Sequence, residues 1–244
     1  MTPRFHVEPA LRAGIELPLP DNAARHAQVL RLQPGAPLCL FDGQGGEWSA
    51  EVLAMGRKSV QVRVLAHEPV ERELDVAVTL ALGMPANERM DTLVEKATEL
   101  GVVAIQPLVC ERSVLRVAGE RAERKAAHWQ AVAVAACEQS GRNRVPLIGA
   151  PLPLREWLAG LAPIAPARLL LSLDPQAPPL LRATTPLAQA GGITVLSGPE
   201  GGLSDAEQAL ALRHGFVAVS LGPRVLRADT APLAALACIG GASA

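Results

Sequence analysis

The sequence predicts an α/β fold preceded by a small β-rich domain, and three observations predict it. From about residue 75, apolar β-branched runs alternate with segments whose apolar residues recur every three or four positions, as strands alternate with helices in a parallel sheet. Before residue 70 the apolar runs are short and separated by glycine-rich turns. Near the C-terminus two strand–loop–helix units follow in tandem. At 244 residues the chain has length for one large domain or two modest ones. The expected division is 1–70 and 75–244, with His67 to Asp75, which contains Pro69 and alternating charges, as the linker.

In the first domain, Asp21 is placed to cap a short helix that ends near Leu32, stopped by Pro34-Gly35. Pro37 to Phe41, Glu47 to Met55 and Ser59 to Ala66 read as strands, with Asp42 to Gly46 and Gly56-Arg57-Lys58 as turns. Val76 to Leu82 reads as the first strand of the second domain. Asn87 can cap a helix that carries Met90, Leu93, Val94, Ala97 and Leu100 on one face and ends at Gly101. Val102 to Val109 returns as a strand, and Glu120 to Gln139 reads as a long helix with Trp129, Val132, Ala133, Ala136 and Cys137 at helical spacing. Residues 150 to 190 are proline-rich, and they read as loop around one strand, Arg168 to Leu173.

Gly192 to Leu196 and Phe216 to Ser220 are the strands of the tandem units. Ser204-Asp205-Ala206-Glu207 is a capping box, so a helix starts there and stops near Gly215. Asp229 or Thr230 caps the last helix, with Pro232 in its first turn. The chain is uncharged from Thr230 onward, which implies a buried face or a face that forms a dimer.

Composition excludes several function classes. The formal net charge is −1, so any nucleic-acid contact must come from local patches rather than a global basic field. Six aromatic residues and no tyrosine argue against a base-stacking platform. Cys39, Cys110, Cys137 and Cys238 form no C-x-x-C, and the five histidines show no ligand spacing, so reduced thiols and no metal are expected. The start Met-Thr-Pro-Arg-Phe-His does not resemble a signal peptide, and no uncharged apolar run reaches membrane length; a cytoplasmic protein is expected.

The candidate ligand site is the pair of loops Ser197-Gly198-Pro199-Glu200-Gly201-Gly202-Leu203-Ser204 and Leu221 to Thr230. Tandem units place both at the carboxyl ends of neighbouring parallel strands, where open α/β sheets bind ligands. Neither loop carries a lysine, and the chain has neither a P-loop nor a G-x-G-x-x-G fingerprint. A backbone-rich, mildly acidic pocket suits a nucleoside that bears a sulfonium better than a phosphate. The same loops also read as ordinary strand-to-helix turns. Between 111 and 144 lie seven basic and four acidic residues, and the cluster Arg142-Asn143-Arg144 ends the long helix in a loop.

Gly198-Pro199-Glu200-Gly201-Gly202, followed by Leu221-Gly222-Pro223-Arg224-Val225-Leu226-Arg227, resembles the cofactor signature of the SPOUT methyltransferases. More narrowly, the chain resembles the RsmE family of 16S rRNA (uracil-N3)-methyltransferases. The resemblance extends to the stretches Glu95 to Val102, Glu111-Arg112-Ser113, Ala135 to Pro146, Arg25-His26 with Val29-Leu30-Arg31, and Leu40-Phe41-Asp42-Gly43. It departs at Ala228 and Asp229, where the family reads Thr-Glu.

The resemblance implies a SPOUT-type domain with a C-terminal trefoil knot after a PUA-like β-barrel. It implies S-adenosylmethionine as cofactor, held by Leu173, Leu196, Ser197, Gly198, Pro199, Glu200, Gly201, Gly202, Leu221, Gly222, Val225 and Leu226. Arg227, Arg224 and Asp229 are the expected catalytic residues, with Arg227 steadying a uracil oxygen and Asp229 equally able to serve only as a helix cap. Arg25, Arg31, Arg112, Arg142, Asn143 and Arg144 are expected to bind RNA. The implied partners are 16S rRNA within the small subunit and a second copy of the chain. Two other functions fit the same residues: a non-catalytic ribosome-assembly factor, and a SPOUT enzyme that acts on tRNA.

Overall fold

Three valines on one strand show how the first unit closes on its core. In a computed structural model, which describes residues 2–8, 10–85, 89–162, 167–184 and 192–243, Val60, Val62 and Val64 are buried while Gln61 and Arg63 between them are exposed. Period-two alternation puts the valines on the core face of the sheet. The chain divides into two compact units, one of residues 1–73 with 137–145 and one of 74–136 with 146–244.

The first unit contains β1 (Arg4–His6), β2 (Glu16–Pro18), α1 (Asp21–Val29), β3 (Pro37–Phe41), β4 (Glu47–Met55) and β5 (Val60–Glu68). Its sheet order is β1-β3-β4-β5-β2, antiparallel except for the parallel pair β1–β3. Asp21 is the first residue of α1 rather than its cap; the N-cap is Pro20, which has no side-chain acceptor to offer. The expected linker is no free tether. Val70 accepts the Asn143 amide, and Glu71, Arg72 and Glu73 all bond within this unit.

The second unit contains β6 (Val78–Gly83), α2 (Arg89–Glu99), β7 (Ala104–Val109), most of α3 (Glu120–Ser140), β8 (Leu147–Ile148), β9 (Leu152–Pro153), α4 (Leu154–Ala159), β10 (Ala167–Leu171), α5 (Leu180–Thr184), β11 (Ile193–Ser197), α6 (Asp205–Arg213), β12 (Val217–Val219) and α7 (Thr230–Ser243). Every pairing in its sheet is parallel, in the order β12-β10-β11-β6-β7-β8, with β9 also on β7. Met90, Leu93, Val94 and Ala97 of α2 are buried, as their spacing predicts. The fully buried Trp129 of α3 donates its indole N–H to Asp91 at 2.9 Å. The Asn87 cap lies outside the described residues.

Two expectations need correction. The strands that carry the signature loops are not neighbours, because β10 lies between them: Leu169 pairs with Val195 on one side and Val217 on the other. Leu169 and Leu170 are buried, and a strand this apolar belongs inside a parallel sheet rather than at its edge. The proline-rich stretch also holds two helices, α4 and α5. Pro153 is the N-cap of α4 (φ −59°, ψ 136°), so proline starts a helix there instead of breaking one. The uncharged α7 contributes Ala235, Leu236 and Ile239 to the core, while Ala237 and Cys238 are exposed.

Candidate active site

Parallel strands put all their carboxyl ends at one edge of the sheet, and the chain gathers its loops there. A cavity of about 690 Å³ opens at that edge, lined by 170–174 after β10, 197–203 after β11, and Leu221, Gly222 and 224–228 after β12. Arg89 at the start of α2, Arg112 after β7, Gln208 and Ala231 complete it. The central strand thus supplies the floor, and the two signature loops form walls on either side.

Local backbone chemistry explains the glycines. At Gly83, the last residue of β6, a Cβ would lie 2.5 Å from the Pro199 nitrogen, so the first loop can cross the end of this strand only if the position has no side chain. Gly222 has φ +99°, a conformation that L side chains rarely adopt, and an added Cβ there would meet no atom within 4 Å. Ser204 caps α6 through the full capping box: its hydroxyl accepts the Glu207 N–H and Glu207 accepts the Ser204 N–H. Loop one therefore ends at a fixed point.

Charge at the rim is mostly positive. Arg89, Arg112, Arg224 and Arg227 line the cavity against the carboxylates Glu200 and Asp174. Arg89 lies 4.0 Å from Glu200, and Arg112 donates to the Gly201 carbonyl at 3.1 Å. The hydroxyl of Ser204 and then the Arg155 guanidinium hold the Glu111 carboxyl below its ordinary value, with burial opposing them. Burial, and after it the Glu207 carboxylate, pushes the Cys110 thiol up to about 12, so it is not a nucleophile at neutral pH. Among the described residues, no group of three or more His, Cys, Asp or Glu could hold a metal ion, and no helix is long and apolar enough to cross a membrane. Glycine-rich walls beneath a rim of guanidiniums suit a reaction whose electrophile is already strong and whose acceptor develops negative charge.

Of the residues expected at the cofactor, Leu173, Ser197, Gly198, Pro199, Glu200, Gly201, Gly202, Leu221, Gly222, Val225 and Leu226 line the cavity. Leu196 does not: its side chain is fully buried in the apolar cluster with Leu170, Leu203 and Phe216. Arg224 and Arg227 line the cavity, but Asp229 is not among the lining residues, and its carboxylate accepts the Thr230 hydroxyl at the start of α7. Arg112 is at the rim. Arg25 and Arg31 are exposed on the first unit.

Arg142 and Asn143 overturn their expectation. Arg142 is only 3% exposed and pairs with Glu73, and the fully buried Asn143 accepts from Arg4 at 2.6 Å and donates to the Val70 carbonyl. These groups hold the fold and have no face to offer RNA. Arg144 is half exposed and pairs with Glu71 at 3.2 Å. Sequence reasoning missed Ser172 and Asp174, which follow a strand that was legible and therefore stand at the ligand edge. It also missed Arg89 and Gln208, for which no local signal exists.

The family models define the class, a methyltransferase that works on RNA: residues 72–240 match the family described as RNA methyltransferase domain, and 19–65 match the RNA methyltransferase PUA domain. Ribosomal RNA small subunit methyltransferase E from Synechocystis sp. is 37% identical over 87% of this chain and 68% of its own length. The protein of that name from Bacillus subtilis is 29% identical over 86% and 84%. The crystal structure of ribosomal RNA small subunit methyltransferase E from Neisseria gonorrhoeae bound to S-adenosyl methionine superposes with a TM-score of 0.88, at 35% identity over 98% of this chain and 97% of that one. The chain belongs to the ribosomal RNA small subunit methyltransferase E family.

Proposed function

We propose that this chain transfers a methyl group from S-adenosylmethionine to N3 of a specific uridine in 16S rRNA of the small ribosomal subunit. Enzyme class and methyl donor follow from the family; the acceptor atom and the residue roles are our own reading. One observation carries it: a glycine-walled cavity at the strand ends, rimmed by Arg89, Arg112, Arg224 and Arg227. The cavity fits the cofactor. Gly202 and Gly222 both line it in left-handed conformations, with open space where a Cβ would stand, so main chain can approach a ligand closely.

When bound, S-adenosylmethionine supplies a methyl group on a positively charged sulfur. The chain's own residues do the rest. Loops 197–203 and 221–226, with Leu173, hold and orient. N3 of uracil must lose its proton for its lone pair to attack, and Arg227 steadies the uracil oxygen that takes up the charge. Arg224 braces the second loop. Turnover rises with pH as N3 deprotonates.

Arg25, Arg31, Arg112 and Arg144 meet phosphates, within a PUA-like domain of residues 1–70 and a knotted methyltransferase domain of 75–244. A second copy of the chain completes the site, with the exposed part of α7 at the interface. The enzyme works in the cytoplasm. Methyl transfer to small subunits from a strain that lacks the gene tests the reading, with the modified nucleotide mapped. Arg227→Ala is expected to lower turnover about 10²- to 10³-fold while S-adenosylhomocysteine affinity changes little. Near-normal turnover in that variant sinks the role of Arg227, and a methyl group on tRNA or on another atom of uridine sinks the substrate.

A further inference from the structure

One buried carboxylate takes no part in the chemistry above. Glu207, in the first turn of α6, is 2% exposed. One of its oxygens accepts the Ser204 N–H at 2.9 Å, which is the bond a capping box requires. The other accepts the backbone N–H of Glu111 at 2.8 Å, from the turn after β7. Helix capping does not call for that second bond. It ties two segments 96 positions apart in the chain.

The turn it holds is stiff. Ser113 donates its N–H to the Cys110 carbonyl at 3.1 Å, and its hydroxyl accepts the Cys110 N–H at 2.9 Å. Fixing Glu111 in such a turn fixes Arg112 beside it. Arg112 in turn donates to the Gly201 carbonyl, and a Cβ on Gly201 would lie 2.9 Å from the Arg112 Cβ. The contacts close a ring: Glu207 to Glu111, along the turn to Arg112, across to Gly201, and through loop one to Ser204 and back.

We infer that Glu207 is a positioning residue that locks the Arg112 turn against the first glycine loop, so that the rim arginine and the cofactor wall move as one body. Its kinetic consequence rests on the methyltransferase reading above; the mechanical coupling does not. Glutamine is nearly isosteric but has a single acceptor oxygen. In Glu207→Gln the amide nitrogen must therefore face one of the two N–H groups, and one of the two bonds is lost.

The test is a double-mutant cycle on the full chain with small subunits as substrate. Glu207→Gln is expected to raise KM for the RNA about tenfold with a smaller change in kcat, as loss of one charge-assisted hydrogen bond implies. Because it acts through Arg112, the double variant with Arg112→Ala should be no worse than Arg112→Ala alone. A merely structural Glu207 gives additive losses instead, and that result overturns the inference. Hydrogen exchange supplies a readout that needs no catalysis: protection of 110–113 and 198–204 should fall together in Glu207→Gln, with other protected amides unchanged. Unchanged exchange at Glu111 also overturns it. A wild-type protein that methylates no RNA removes the functional reading and leaves the exchange result to decide the coupling. If Glu207→Gln does not fold, Glu207→Asp, which keeps the charge but is too short to reach both N–H groups, takes its place in both experiments.

Discussion

The segment 137–145 and the second loop of the cavity both carry arginine close to glycine, yet they do opposite work. In the segment, Arg142 and Asn143 turn inward onto Glu73, Arg4 and the Val70 carbonyl. In the loops, Arg224, Val225 and Arg227 are exposed and glycines line the wall. The difference lies in where the opposite charges stand. Glu71-Arg72-Glu73 and Arg142-Asn143-Arg144 are complementary triplets, and Glu73 and Glu71 neutralise the two arginines. Among the described residues, the cavity lining sets only two carboxylates, Glu200 and Asp174, against its four arginines. A basic cluster identifies an RNA site only when the fold supplies no carboxylate for it.

The largest expected effect would break this comparison if it failed. Arg142→Ala leaves Glu73 without its guanidinium in a largely buried position, and should destabilise the protein by about 3–5 kcal/mol in denaturant unfolding. Affinity of the folded protein for S-adenosylhomocysteine should stay the same. A variant of normal stability with weakened RNA binding would return Arg142 to the RNA surface.

The next effect is confined to the cavity. Gly222→Val forces a β-branched side chain into a left-handed backbone and into the space where ligand is expected, at about 1–3 kcal/mol for the strain alone. Calorimetry should show S-adenosylhomocysteine binding at least tenfold weaker. Gly201→Val is the less clean probe, since its side chain also strikes Arg112. Unchanged affinity in a folded Gly222→Val would move the cofactor away from the second loop.

The smallest effect sharpens the comparison through pH. Burial raises the Glu138 carboxyl above its ordinary value, against the His6 N–H and nearby positive groups that lower it. A raised folded value means that the folded state binds the proton more tightly, so this stabilisation is full below the ordinary carboxylate range and is lost as pH rises through the folded value. Glu47 slopes the other way. Burial would raise it, but hydrogen bonds from Arg72 and Arg4 outweigh that, so its contribution is present above the ordinary value and lost as pH falls. Glu138→Gln should remove the first slope and leave the second, as read from melting temperature against pH; an unaltered profile would show that Glu138 does not titrate in that window.

Much of the fold was legible because its signals are local. The valines of β5 alternate, α2 carries its apolar stripe, and Ser204 with Glu207 announces the start of α6. The signature loops read as a candidate ligand site from their glycines and missing lysines, with ordinary strand-to-helix turns as the alternative, and the fold brings both to one cavity. What escaped were relations between distant segments. Nothing near Leu169 says that β10 will separate β11 from β12, and nothing near Arg142 says that Glu73 will meet it. Asp229 and Leu196 do not line the cavity for a related reason: one position along a loop or strand decides whether a side chain faces the cavity, the core or a helix end.

By itself, the sequence determined most of the longer strands and helices, the glycine loops and the supply of arginines, since propensity, periodicity and capping act over a few residues. Only the tertiary structure decided which arginines remain at the cavity rim and which are consumed in the fold. It also decided that Glu207 reaches across to Glu111. Burial and charge pairing are properties of groups that meet in space, and a parallel sheet brings together residues that the chain keeps far apart.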